Sequence, residues 1–451
     1  MAKIKRLKTV EDIDRLSLLP DAILIHILSL LPIKSAVSTS VLSRQWRYLW
    51  THITNIVFSK TCLPSSSHDL SAAVNRIIPQ LTSNRIDCFH LFFNKKWEEF
   101  SDIEFCIRDI CTRNPKQIVV ENLYYKEFIL ERMPACIFQC QSLVDLTLIE
   151  YISIQVPNEG FVATLPKLKK LHLFTDCGVL AAIIRGCPLL EDLNLFIYRR
   201  KRNHFLDSID LSAHNLKRLV MKERYRIRNS VQLSRNLLIN VSKLEEITLD
   251  FGMGLVQFIG DSGSLIKADI CSGYMYLEEN HLSNVKRMVE LISGLKSLSL
   301  DIVNLNDIRK LKYDLVPIFD KLYELRIEIE SDMGSIKWWN DLLVFLRWCP
   351  CLKVLHLVFT TYYGVYDEYL EAIMRILDCD KEIELLSVYL NQRGTIKVEV
   401  TSQEYDFCEK LFGLQNPSAC EIKFKGHYVN VSNKSFIPRR RSIRLAKHKV
   451  V

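Results

Sequence analysis

CPLLEDLNL (Cys187–Leu195) and CPCLKVLHL (Cys349–Leu357) spell one pattern twice in a chain of 451 residues. In each, a Cys-Pro step closes an apolar run and a Leu-x-x-Leu-x-Leu segment follows. The run before the first is VLAAII (Val179–Ile184), ended by Gly186; before the second it is LLVFLRW (Leu342–Trp348). Proline restricts the residue before it and cannot continue a helix, so both runs read as helices that stop at the cysteine. In Leu-x-Leu the two leucines point to one side of an extended chain and the middle residue to the other. Each unit is therefore helix, turn and strand, with one leucine-bearing face to bury.

Outward from these two stretches, the segment recurs. It begins at Leu143, Leu168, Leu190, Leu216, Leu244, Leu295, Leu322 and Leu352, in steps of 25, 22, 26, 28, 51, 27 and 30 residues. The step of 51 is a double one, filled by the degenerate Leu265-Ala268-Ile270. Vaguer copies flank the array: Ile86-Phe89-Leu91 and Ile118-Val120 before it, Ile383-Leu386-Val388 and Ala419-Ile422-Phe424 after it. No single unit buries its leucines alone, but stacked units bury them against one another. The register predicts an α/β leucine-rich-repeat solenoid of roughly ten units, with a concave parallel sheet and helical segments on the convex side. We place it at 86–380, with terminal repeats or a degenerate domain at 381–430 and a basic tail at 431–451.

Residues 14–50, DRLSLLPDAILIHILSLLPIKSAVSTSVLSRQWRYLW, do not share the repeat. Pro20 suits the first position of a helix and Asp21 its first turn. Ile23, Ile27, Leu28 and Leu31 share a face, Leu24 widens it, and Pro32 ends the helix. Lys34–Ser40 reads as a short second helix. Ser43 reads as the cap of a third, carrying Trp46 in its core and ending near Trp50. Three helices in so short a span make a meagre core, so a first helix this apolar calls for a partner.

Between head and repeats, residues 51–85 are dense in apolar groups. Ile53, Ile56, Val57 and Phe58 read as a short strand. Leu70, Val74, Ile77 and Ile78 have helical spacing. Ser65 to Asp69 between them reads as a loop. We expect 51–58 and 70–81 to cap the first repeat and fix the head against it.

Residues 14–50 resemble the F-box of the plant F-box/leucine-rich-repeat class. Leu19-Pro20-Asp21 matches its leading Leu-Pro-Asp. Ile27, Leu28, Leu31 and Pro32 match the first helix and its Leu-Pro end. Lys34, Ala36 and Thr39 to Ser43 match the middle, and Arg44, Trp46, Arg47, Tyr48, Leu49 and Trp50 the closing basic-aromatic segment. The Cys-Pro-x-Leu-x-x-Leu-x-Leu repeats resemble the same class. Glu421 to Gly426 resembles only faintly the small FBD domain that ends many members, so that domain is expected to be degenerate or absent. The resemblance implies a non-catalytic receptor. The F-box would hold a Skp-type adaptor and, through it, the cullin and RING subunits of an SCF-type ubiquitin ligase, while the repeats hold a target protein. Neither cofactor nor metal is implied. Two other uses stay open: a non-degradative scaffold, and a small-molecule sensor with a ligand held in the solenoid.

For adaptor contact we assign Leu19, Pro20, Ile23, Ile27, Leu28, Leu31 and Pro32, some of which also build the head's own core. Target contact is assigned to residues alternating with the buried leucines: Lys170, His172, Phe174, Asp192, Asn194, Phe196, Arg218, Glu324, Arg326 and His356. Phe174 and Phe196 are exposed aromatics by this register, the residue type that dominates binding hot spots. The competing reading is a solvated sheet face with the two rings folded under a loop.

Composition bounds the rest. Apolar residues make up 48% and charged residues 25%, which excludes disorder as the main state. No apolar run reaches the length of a membrane span, and no long apolar segment follows MAKIKRLK, so neither a span nor a secretory signal is expected. Fourteen cysteines with no CxxC read as free buried thiols in a reducing compartment. Nine of the 60 basic residues follow Glu421 with no acid among them, leaving 51 against 52 acidic residues in the body. A neutral body argues against nucleic-acid binding. Arg199 to Arg202, the tail arginines and Lys3 to Lys8 are candidate import signals, so nucleus and/or cytoplasm is the expected location. The lone Gly252-Met253-Gly254 reads as a turn rather than a nucleotide loop.

Overall fold

A computed structural model describes residues 15–58, 67–93, 100–122, 131–149, 152–154, 161–175, 180–197, 208–223, 236–250, 256–258, 263–271, 281–311, 317–330, 338–361, 366–379, 382–392, 397–414, 420–426 and 429–435. The chain divides into two compact units, the first running essentially to Leu206 and the second from Ile227 onward, with the segments between shared out. Both are α/β, built on long parallel runs of strands compatible with a repeat solenoid.

In the first unit the strands Asn55–Phe58, Cys88–Phe93, Gln117–Asn122, Asp145–Ile149, Lys170–Thr175 and Asp192–Ile197 pair in that order, every pair parallel. The register carries the repeat pattern straight across. Ile56, Phe89, Ile118, Leu146, Leu171 and Leu193 are consecutive partners, and so are Phe58, Leu91, Val120, Leu148, Leu173 and Leu195. All twelve are buried. Removing such rows from water is the main stabilising term, at about 1.5–3 kcal/mol per fully buried side chain.

The second unit repeats this arrangement. Arg218–Glu223, Glu246–Asp250, Lys267–Ile270, Ser297–Asp301, Glu324–Glu330, Val354–Thr361, Leu385–Gln392 and Glu421–Lys425 pair in order, all parallel. Leu219, Ile247, Ala268, Leu298, Leu325, Leu355, Leu386 and Ile422 form one buried row across them. The degenerate Ala268 thus occupies a leucine position without breaking register. Asn430–Ser432 turns back antiparallel on the last strand.

The α-helices are α1 (Asp21–Ser29), α2 (Ile33–Ser38), α3 (Ser67–Ile77), α4 (Phe100–Thr112), α5 (Leu180–Arg185), α6 (His281–Ile292), α7 (Ile302–Lys310), α8 (Trp338–Arg347), α9 (Tyr366–Leu377) and α10 (Lys397–Phe412). Successive helices pack on one another, α3 on α4 in the first unit and α6 through α10 in the second. No helix among the described residues is long and apolar enough to cross a membrane.

A recurrent turn leads into several of the strands. The amide of the first leucine donates to the carbonyl three residues back: Leu143 to Cys140, Leu168 to Leu165, Leu190 to Cys187, Leu322 to Phe319 and Leu352 to Cys349. The two Cys-Pro cysteines also close the helices before them. The Cys187 thiol donates to the Ile183 carbonyl at 3.2 Å and the Cys349 thiol to Phe345 at 3.4 Å. Each adds a second donor to a carbonyl in the last turn that also accepts a backbone amide, from Gly186 and Trp348 respectively. All described cysteines are free, but they are not uniformly buried: Cys351 is exposed, and Cys88, Cys111, Cys136, Cys271 and Cys379 are half-buried.

Three expectations change. Pro20 precedes the first helix rather than opening it; with ψ 145° it is the extended N-cap of α1. The second helix starts at Ile33 and gives way to a 3-10 turn at Thr39–Val41. The third α-helix is not there. Residues 44–48 are turns and Leu49–His52 is 3-10, so Trp46 reaches the core from a turn, its indole donating to Ser17 at 2.9 Å. Residues 55–58 form a strand, as read from the sequence, and pair parallel with Cys88–Phe93 at the edge of the sheet, in the same two apolar rows. Gly252 to Gly254, Lys3 to Lys8, Arg199 to Arg202 and the tail arginines lie outside the described residues.

Candidate functional site

The head's core is Leu24, Leu28, Ile33, Ala36, Trp46, Leu49 and Trp50, all buried. Alternation on α1 decides what is left outside: Leu24 and Leu28 point in, and Ile23 points out. Of the residues assigned to adaptor contact, Pro20, Ile23, Leu31 and Pro32 are exposed, and Leu19 and Ile27 are half-buried. Leu28 is fully buried in this chain, so that assignment is withdrawn. Its place in the Leu-x-x-Leu-Pro motif belongs to the core, where i, i+4 spacing stacks it on Leu24.

Sequence reasoning missed a larger apolar surface. Eight of the fifteen exposed large apolar side chains among the described residues lie between Leu16 and Tyr48. Leu18, Leu30, Val41, Leu42 and Tyr48 are each more than 60% exposed. Scattered apolar residues are normal on a surface, whereas these eight crowd one short stretch of chain. These residues fall off the helical face that periodicity picks out.

The head is tied to the first strands by hydrogen bonds. Thr82 donates its amide to the Thr51 carbonyl at 2.8 Å, and Asp87 donates to the Thr54 carbonyl at 2.8 Å. Thr54 donates to the Ser29 hydroxyl on α1 at 3.2 Å. Ser83 donates its hydroxyl to the Ile53 carbonyl at 3.0 Å, and Arg113 binds the Leu81 and Ser83 carbonyls with one nitrogen. Val74 and Ile78 are buried.

The residues assigned to target contact divide between the two units. In the first, Lys170 is exposed, and His172, Asp192, Asn194 and Phe196 are half-buried. Phe174 is buried, contrary to the expectation of an exposed ring, although alternation puts it on the face opposite the leucines and opposite Phe196 in register. An aromatic ring carries enough apolar area to override the polar face of a strand when cover is at hand. Phe196 is stacked on His172 with ring centroids 5.4 Å apart. Burial holds the His172 imidazole below its ordinary value, and among the described residues its Nε2 and the adjacent Asn194 Oδ1 have no hydrogen-bond partner.

A base with a depressed folded value stabilises the fold above its unfolded value and loses that contribution as pH falls through the folded one. We expect His172 to stay neutral below pH ~6.5 and the first unit to lose stability on acidification beyond that point. His172→Gln should flatten this part of the pH profile. Urea unfolding at pH 7.5 and 5.0 checks it; an unchanged pH dependence in the variant would remove His172 as the cause.

In the second unit Arg218 is exposed and pairs with Glu246 on the next strand at 3.1 Å. Glu324 accepts from the Ser297 hydroxyl at 2.9 Å and binds His356 Nε2 at 3.0 Å. Burial raises the Glu324 carboxyl, but these bonds and the nearby His356 and Lys267 outweigh it and hold it below the usual carboxylate value. Arg326 donates to Glu328 at 3.0 and 3.2 Å and lies over the Tyr389 ring. Sequence reasoning did not single out Tyr389, whose ring also meets His356 edge-on. Glu324 sits between hydroxyl and imidazole, binding each by a different oxygen. Nucleophile activation needs the imidazole on the hydroxyl, which this order does not provide. Among the described residues no group of His, Cys, Asp and Glu could hold a metal ion. The face offers hydrogen bonds, mixed charges and ring edges, the chemistry of protein recognition.

A family model for the F-box domain matches residues 16–57. An F-box/FBD/LRR-repeat protein of Arabidopsis thaliana is 26% identical over 374 residues, 77% of this chain and 79% of the relative. F-box/LRR-repeat protein 13 of the same plant is 27% identical, covering 78% of each chain. An Arabidopsis FBD-associated F-box protein is 27% identical over 76% of this chain and 73% of its own length. The chain carries an F-box domain joined to repeat-patterned α/β units, and is a homologue of the Arabidopsis proteins named F-box/FBD/LRR-repeat proteins.

Proposed function

We propose that this chain is the substrate-recognition subunit of an SCF-type cullin–RING ubiquitin ligase. The F-box binds a Skp-type adaptor, and the repeats form a leucine-rich-repeat solenoid that holds a target protein for ubiquitination. The observation that carries the reading is the apolar surface between Leu16 and Tyr48, half of the exposed large apolar groups concentrated on a head of some forty residues. F-box/LRR proteins in general act as such adaptors, without chemistry of their own. The target meets the sheet face through residues such as Glu324, Arg326 and His356 in the second unit, and Lys170, His172 and Phe196 in the first.

The hydrogen bonds between 51–54 and 82–88 support a head that moves with the first strands, which a receptor needs in order to present its target at a fixed distance. The test is affinity purification of the full chain from plant cells under proteasome inhibition. Adaptor and cullin should co-purify, and a shared third protein should carry ubiquitin chains. Recovery of that third protein without adaptor and cullin, and without ubiquitin, would replace this reading with a non-degradative scaffold.

A further inference from the structure

The open face of the second unit, opposite its leucine rows, gathers negative charge over four neighbouring strands. Cys271 extends the Lys267–Ile270 strand, its amide donating to the Leu249 carbonyl at 2.8 Å. With the registers on either side, this sets Asp250, Cys271, Asp301 and Glu328 in one row. Asp269, Ser299 and Arg326 are consecutive partners in the row beside it. Alternation turns both rows away from the leucines. The four acids are half-buried, none of them sealed from solvent.

The bases nearby do not match this charge. Lys222 is the register partner of Asp250 at one end of the row. At the other end Arg326 donates twice to Glu328 Oε1, at 3.0 and 3.2 Å, and the Cys271 thiol donates to the other oxygen at 3.8 Å. Between them, Asp269 is flanked in register by Thr248 and Ser299, and Asp301 by Cys271 and Glu328, none of which is basic. Asp301 accepts the Asn304 amide at 2.9 Å as the cap of α7, which holds its carboxylate in place. Burial and the four surrounding carboxylates push the Cys271 thiol up, so it stays neutral and adds no nucleophile to the group. Ser299 gives an independent sign of a ligand. It is only 7% exposed, and among the described residues its hydroxyl has no hydrogen-bond partner. A buried hydroxyl without a bond is costly, and this one sits between Asp269 and Arg326 on the charged face.

We propose that Asp269, Ser299 and Asp301 form a binding site for an arginine side chain of the target protein. The assignment rests on the reading that the repeats hold a target. A guanidinium carries five N–H donors in a planar fork and binds carboxylates by paired bonds. Neighbouring strands lie about 4.8 Å apart, so one fork reaches both aspartates while a remaining N–H donates to the Ser299 hydroxyl. The buried acceptor gains the bond it lacks, and the site rejects a side chain that cannot donate there. An ammonium offers three donors from one point and fits this spread less well. A metal ion is not the match, since no group of His, Cys, Asp and Glu among the described residues could hold one. Asp250 and Glu328 extend the negative field, which draws basic segments in and keeps acidic ones out.

The probe is an array of short peptides with a central arginine and varied flanks, beside identical arrays centred on citrulline and on lysine. The purified full chain is passed over all three. The best arginine peptides are expected to bind at least about tenfold tighter than their citrulline counterparts, which keep the shape and lose the charge. Their lysine counterparts should fall between the two. Asp269→Asn and Ser299→Ala should each weaken arginine binding at least about threefold. Ser299→Ala should do so with an unchanged unfolding midpoint, because its hydroxyl has no bond among the described residues to lose. Arginine peptides that bind no better than citrulline or lysine ones, or arginine binding that survives both substitutions, overturn the proposal. Affinity purification under proteasome inhibition separates this site from the receptor reading. The double variant should keep adaptor and cullin and lose the ubiquitinated third protein. Equal recovery of that protein by parent and double variant overturns the arginine site alone. Adaptor and cullin missing from both overturns the receptor reading, and the array then decides the site by itself.

Discussion

Ile23→Ala combined with Leu31→Ala is expected to strip the chain of its adaptor and leave its fold intact. Both side chains are exposed, 47% and 36%, so trimming them removes little from the chain's own core. The proposed adaptor complex would bury both, and each buried apolar side chain contributes about 1.5–3 kcal/mol. A joint loss of about 3 kcal/mol is a weakening of about a hundredfold. Leu28→Ala is the matched control. That side chain is fully buried, and a leucine-to-alanine cavity costs about 2–5 kcal/mol of stability. It should lower the unfolding midpoint, and it weakens the adaptor only through loss of the head. Pro20 and Pro32 are less clean probes, because each is the extended N-cap of the helix that follows it. Binding of a purified Skp-type adaptor, measured beside circular-dichroism melting, separates the cases. A double variant that binds at full strength would move the contact surface off α1 and the turn after it, and toward Val41, Leu42 and Tyr48.

The leucine rows were legible because a strand forces period two, and neighbouring strands force one register. Even weak copies such as Ile118-Val120 and Ile383-Leu386-Val388 fall into the rows, since partners on both sides hold them there. The Asn55–Phe58 strand was readable as a strand but not as part of the sheet, because Ile53, Ile56 and Phe58 hold the spacing of the repeat without a single leucine. The site was less legible. Alternation says which face a residue takes, not whether another segment covers that face, which is why Phe174 reads as exposed and is buried. It also says nothing of side-chain pairs across strands. Glu324, His356 and Ser297 are joined through register over more than fifty residues of chain, and Tyr389 enters the same group only through its strand's place beside Val354–Thr361. In the head, the third helix failed because a cap-like serine favours a helix start but does not make the segment after it helical. The turn instead drops Trp46 into the core and bonds its indole to Ser17.

Gly186→Ala should destabilise the first unit more than any other single-methyl change considered. A Cβ at Gly186 would stand 1.9 Å from the Ala163 carbonyl oxygen and 2.4 Å from its carbonyl carbon. Both are backbone atoms and cannot rotate aside. That backbone is held in place: Ala163 donates its amide to the Ala182 carbonyl at 3.2 Å, and Leu165 donates to the Gly186 carbonyl at 3.0 Å. The extended segment before one repeat is thus clamped onto the end of α5 in the next, and the methyl must prise it off. Overpacking of this kind costs about 1–3 kcal/mol, and each kcal/mol lowers the midpoint of a unit this size by about 2–4 °C. The restraint is space rather than torsion, so the Gly that follows a helix is not by itself the reason. Gly294, which also follows a helix, tests that distinction, since a Cβ there meets nothing within 4 Å. Gly294→Ala should be neutral or stabilising by about 0.4–1 kcal/mol, through the smaller entropy of its unfolded chain. Thermal unfolding of both variants, with hydrogen exchange over 163–165 and 180–186, reads the difference. Equal melting of Gly186→Ala and the parent chain, with exchange unchanged across that clamp, would mean that the two backbones do not approach as closely as the packing of α5 requires.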